Sequence, residues 1–187
     1  PRIPKSKLND LREGLLIGTA CEAGELIRMY LKGMDEGKLE EIASFYDFLE
    51  IQPRGNNRFM LEKGTIKSEE DLLKMNKAIY DLGHRLQKPV VATGDVHFLD
   101  PEDEVYRRIL MAGKGFEDAD NQAPLYLMTT EEMLNEFSYL GEKEAHEVVV
   151  ANPQKIAETV EDIKPIPDEF YPPSIPGAEE DIKNLSL

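Results

Sequence analysis

Apolar residues in this chain gather in two kinds of run. The short ones are Leu15-Leu16-Ile17 after Gly14 and ending in Gly18-Thr19, Phe45 to Gln52 ahead of Pro53, and Val90-Val91-Ala92-Thr93. None follows strict polar alternation, so each predicts a strand buried on both faces, the habit of parallel sheets. Between them the spacing turns helical. Leu26, Ile27, Tyr30 and Leu31 predict a helix over 23–32 with Gly33 as its stop, and a short helix follows over 35–44. Ser68, followed by Glu69-Glu70-Asp71, reads as an N-cap with acids in the first turn. Leu72, Leu73, Met75, Ile79, Leu82 and Leu86 then line one face of a long helix that Lys88-Pro89 breaks. Strand, helix, strand, helix, strand predicts an α/β fold built from parallel βα units. Three strands or so amount to a partial (βα) barrel, since a closed eight-stranded one takes about 250 residues.

After Asp100-Pro101 the pattern predicts helices alone, over 101–112, 130–140, 142–151 and 153–162, with a Gly-rich acidic loop between the first two. Residues 54–65, with Gly55-Asn56-Asn57, read as a loop. The tail from Lys164 through Tyr171-Pro172-Pro173 to Gly177 is Pro-rich and reads as extended. The organisation expected is therefore a barrel part over 1–100, a helical segment over 101–163 and an extended linker over 164–187. Met29, Met75, Met111 and Met133 sit at helical positions and are expected in the core.

Charge narrows the function classes. Lys and Arg number 22 against 37 Asp and Glu, a net −15 in 187 residues. A pI near 4.6 argues against this piece gripping nucleic acid unaided, because phosphate neutralisation needs a basic face. A lone cysteine, Cys21, excludes an internal disulfide and fits a reducing compartment. No apolar run approaches a membrane span of about 20 residues, so the reading is cytoplasmic with no membrane partner. A chain that starts with Pro rather than Met is expected to be a processed product or part of something larger.

Candidate chemistry concentrates at the strand ends. Asp95-Val96-His97 directly follows the third apolar run, and residues two apart in extended backbone project to one side. A carboxylate and an imidazole there can converge on zinc or manganese. Equally, Asp95 can cap the following turn while His97 satisfies a backbone carbonyl. Cys21 falls just beyond the first run; it is either a small buried thiol or a thiolate ligand. Glu50 is a further acid, open to pairing with Arg54 or Arg58. His84 and His146 lie on predicted helices and are expected to be surface or filler. No phosphate-binding Gly loop, nucleophile elbow or zincin motif occurs.

Three segments taken together, 14–25, 45–53 and 89–99, followed by Pro101-Glu102-Asp103, closely resemble the PolC-type alpha subunits of bacterial DNA polymerase III. The resemblance lies in the second half of their PHP (polymerase and histidinol phosphatase) domain and runs the length of the chain. It implies a PHP-type (βα) barrel into which a 3′–5′ exonuclease domain is inserted. It also implies metal ligands at Cys21, Asp95 and His97 for zinc or manganese. The opening H-x-H ligands and the palm aspartates that bind magnesium match nothing in this chain. The stretches Tyr126 to Phe137, Lys143 to Ala157 and Lys164 onward look like the family's passage from PHP domain toward palm and thumb.

The resemblance implies a fragment of a replicative polymerase, an enzyme as a whole, with this piece structural and partly metal-binding. Partners implied are the remaining halves of the parent chain, DNA and dNTPs through that parent, and other replisome subunits. Two alternatives stand beside it: a free-standing PHP phosphoesterase, and a non-catalytic acidic module that binds proteins through 101–187.

Overall fold

In the computed structural model, which describes all residues except 1, 2, 118, 167, 171, 173 and 187, the sheet is smaller than the apolar runs predict. Strands β1 (Leu49–Ile51) and β2 (Val90–Ala92) pair in parallel, with Leu49 opposite Val90 and Ile51 opposite Ala92. The first predicted strand is replaced by a single parallel bridge from Gly18 to Phe48. Gly14 takes φ +74°, and Leu15 and Leu16 are about half exposed, so that run buries only from Ile17 onward. What fixes it beside β1 is Asp47, whose backbone N–H donates to Ile17 O and whose carboxylate accepts from Ile17 N, both at 2.7 Å. The second strand is shorter than predicted for a related reason. Phe45 is the C-cap of the preceding helix and Tyr46 still donates back to Ala43, so extended pairing begins only at Leu49.

Helices α1 (Lys5–Asp10), α2 (Glu25–Leu31) and α3 (Glu36–Ser44) precede β1, and α4 (Phe59–Glu62) occupies part of the predicted loop after it. The long helix forms as α5 (Glu69–Arg85), with Ser68 Oγ accepting from Asp71 N at 3.2 Å. Its buried stripe is Leu72, Met75, Ile79 and Leu82, and Gly83 lets its backbone press against β2. A Cβ at that glycine would lie 2.3 Å from Val90 Cγ2.

Beyond residue 100, α6 (Glu104–Gly113) follows a 3-10 turn over Pro101–Asp103, and α7 (Thr130–Glu136) opens on a capping box from Thr129 to Glu132. Two helices predicted over 142–151 and 153–162 are one continuous stretch: α8 (Glu142–His146), a π-helical turn over Glu147–Ala151, and α9 (Asn152–Glu158). Pro153 lies at the start of α9, where a proline removes an N–H and clashes with the carbonyl four residues back. The wider π turn just ahead of it accommodates that clash without ending the helix. In the tail, α10 (Ala178–Leu185) replaces the last part of the predicted extended segment, while Pro167, Tyr171 and Pro173 of that prediction lie outside the described residues.

One apolar cluster joins the sheet, α2, α3 and α5 to Phe137, Ala145 and Val148 of the later helices. Met75 is fully buried and Met29 and Met133 pack at its edge, as expected; Met111 instead lines a cleft. Among the described residues no helix is long and apolar enough to cross a membrane.

Candidate functional site

A cleft of about 700 Å³ opens where the strands end. Its floor carries Gln52 from the end of β1, Asp95 from the turn after β2, and Glu22 from the segment that bridges to Phe48. One wall is Asn56, Arg58 and Phe59; the other is Arg107 and Met111 of α6 with the loop 121–125. Sites at the carboxyl ends of parallel strands arise because loops there are free to vary over a fixed sheet. The loop holds its wall by short bonds: Leu125 O accepts from His97 N at 2.8 Å, and Gln122 contacts both Arg107 and Ala119.

Asp95 adopts φ +51°, the left-handed region that disfavours side chains with a Cβ. The turn is held there by Asn56, whose Nδ2 donates to Gly94 O at 2.9 Å. His97 Nδ1 lies 2.7 Å from the backbone oxygen of Asp95 and 3.8 Å from its carboxylate. Of the two readings open in the sequence, this geometry matches the histidine that satisfies a backbone carbonyl, although both side chains stay half exposed.

Glu50 feels two other carboxylates here. Burial pushes Glu50 above its ordinary 4.5; the Thr93 hydroxyl facing it opposes this without a formed hydrogen bond, and the charges of Asp95 and Glu22 add to the rise. Neither arginine pairs with Glu50, contrary to one sequence reading: Arg54 Nε bonds Glu136 Oε1 at 2.7 Å, and Arg58 has no carboxylate partner among the described residues. Cys21 is partly buried, and that burial raises its thiol above 9.0, with Glu22 adding to the effect against the Ala23 N–H. The protein by itself therefore keeps Cys21 a neutral thiol near neutral pH, and only a bound cation would hold it as the thiolate a ligand must be.

Zinc or manganese needs three or four protein donors of this chemical kind. Asp95 and His97 stand together, but among the described residues no group of three or more His, Cys, Asp and Glu side chains gathers to hold a metal ion. The described residues by themselves thus supply less than a full coordination shell. His84 contacts Glu147 and Tyr80 on the far side of α5, and His146 is exposed; neither lines the cleft. Sequence reasoning missed Glu22, Asn56, Arg107 and Gln122. Asn56 carried a signal, since it lies in the first turn after a strand closed by Pro53, but Glu22 and Arg107 enter through tertiary convergence alone.

Comparison with known proteins places the chain. No model of a protein family matches it. It is similar over its whole length to part of bacterial DNA polymerase III chains. The relatives are named DNA polymerase III PolC-type: 60% identical over 187 residues in Clostridium perfringens, 61% in Caldanaerobacter subterraneus subsp. tengcongensis, and 48% over 189 residues in Bacillus subtilis. The chain spans 13% of the length of each. The resemblance read from the strand-end motifs is thereby borne out.

Proposed function

We propose that this chain works as part of a PolC-type replicative polymerase, a DNA-directed DNA polymerase of the bacterial cytoplasm with an associated 3′–5′ exonuclease. The observation that carries this reading is identity of about three residues in five along the full 187 residues to a segment of such chains. Template-directed synthesis on DNA and dNTPs, with magnesium at palm aspartates, belongs to the rest of the parent. The piece itself is the second half of a PHP barrel. Its role is to buttress the polymerase core, with Cys21, Asp95 and His97 contributing to a zinc or manganese site that ligands elsewhere in the parent complete. The strand-end position of Asp95 and the incomplete donor set both accord with that division.

A second role, docking on neighbouring parts of the parent or on other replisome subunits, is favoured by α6. That helix buries none of its residues and turns Tyr106, Ile109 and Leu110 outward, each over 60% exposed. An apolar stripe of that kind marks an interaction surface.

An antibody raised against this chain, used to blot cell extract, tests the main reading. A band several times heavier than 21.2 kDa is expected. A sole band near that mass would refute it. Metal analysis of the intact parent before and after Asp95→Ala and His97→Ala then tests the ligands, with loss of bound metal expected.

A further inference from the structure

Asn56 is a buried polar residue of the cleft that neither the motifs nor the relatives' names account for. It is 6% exposed and comes from the 3-10 helix Arg54–Asn57, directly after β1 and Pro53. Its Nδ2 crosses to the turn after β2 and donates to Gly94 O at 2.9 Å. Its Oδ1 is buried with no partner among the described residues, while the side chain lines the cleft beside Asp95 and Glu22. A buried acceptor left open costs free energy unless something supplies a donor. The turn it holds is one that costs free energy too, because Asp95 sits at φ +51°. His97 then folds back so that Nδ1 meets Asp95 O at 2.7 Å, a contact that is favourable only with the proton on Nδ1.

We propose that Asn56 is the positioning residue of the Asp95–His97 turn: its amide nitrogen fixes the Gly94 carbonyl and thereby the left-handed Asp95. The role would matter for function only if Asp95 and His97 are ligands, so that part rests on the reading above; the positioning itself does not.

The experiment is long-range proton–nitrogen NMR of the His97 ring in the 187-residue chain, free of metal, for wild type, Asn56→Asp and Asn56→Ser. Asp keeps the shape and removes the donor; Ser is smaller and uncharged, and serves if the Asp variant does not fold. The wild type is expected to hold His97 in the Nδ1–H tautomer, with the variants relaxing toward the Nε2–H form that a free imidazole prefers. His84 and His146, which have no contact with the turn, should keep their signals and act as internal controls for the fold. An unchanged His97 tautomer in the folded variants would overturn the proposal, as would a wild type already in the Nε2–H form. Manganese added to the wild type reads the ligand assignment separately. Selective broadening at His97 supports it; uniform weak broadening would rule out a site formed by this chain alone, leaving the tautomer result standing and the shared site to metal analysis of the parent.

Discussion

Asn152 reaches from the start of α9 to β2 and donates its side-chain amide to the backbone oxygen of Val90 at 2.9 Å, with both residues buried. A two-stranded parallel sheet has two open edges, and open edges invite pairing with other chains. The edge of β2 away from β1 is covered by the π turn and α9, and this amide satisfies one of its carbonyls. Asn152→Leu fills similar volume but leaves the carbonyl buried and unpaired. A loss of about 1–3 kcal/mol in denaturant unfolding is expected, the cost of one orphaned buried polar group. An unchanged midpoint would mean that water or a neighbour replaces the amide.

Asp47 does for the first segment what a ladder of backbone bonds does for a strand. It accepts from Arg12 Nη2 at 2.9 Å and from Ile17 N at 2.7 Å, so one carboxylate pins residues 12 to 17 to the rest of the fold. Asp47→Ala removes both bonds, each to an ionised acceptor and partly shielded from solvent. The expected cost is about 2–3 kcal/mol. Hydrogen exchange should show the loss as faster exchange confined to residues 12–19; uniform acceleration across α5 as well would contradict the local role.

How much of this was legible follows from where each signal lives. The long helix α5 and strand β2 are specified by local pattern, and Ser68, the apolar stripe and Lys88-Pro89 mark their limits in the sequence itself. The Leu15–Thr19 run carries the same apolar signal as β2, yet its placement depends on a side chain thirty residues away, which periodicity does not register. The gap read between the helices over 142–151 and 153–162 is absent for the opposite reason, since a π turn carries the helix past Pro153. At the site, the nearness of Asp95 and His97 follows from their spacing, but Asp95 is left-handed rather than in the extended backbone the sequence suggests, and His97 meets its carbonyl. Glu22, Asn56 and Arg107 meet only once separate loops converge, and no spacing within one segment records that.

Gly83 offers a case in which two effects oppose each other. Replacing it with Ala should favour α5 by about 1 kcal/mol through helix propensity alone. Against this, the added Cβ would lie 2.3 Å from Val90 Cγ2 and 3.2 Å from Lys88 O, on a β-branched residue locked into the sheet. Overpacking of that kind costs about 1–3 kcal/mol. The net effect of Gly83→Ala is therefore expected to be destabilising, read as a lower thermal midpoint. A gain in stability would show that α5 can shift away from β2 without loss.

Glu50 gives the molecule a pH dependence whose sign runs against the usual carboxylate. Its folded-state pKa is raised above 4.5, with burial as the main cause and the charges of Asp95 and Glu22 adding to it. The folded chain thus holds this proton more tightly than the unfolded chain does. Its contribution is most favourable below 4.5, where both states are protonated, and declines as pH rises from 4.5 through the folded-state pKa. Above that it is flat. Glu50→Gln abolishes the ionisation while keeping the shape, so the metal-free variant should melt higher than wild type at pH 7, with the two curves converging below pH 4.5. If the variant instead melts lower at neutral pH, the carboxylate has a favourable partner there and burial does not dominate. Repeating the pair with manganese present separates the cases, because a cation near Glu50, Glu22 and Asp95 would favour the ionised wild type and shrink or reverse the gap.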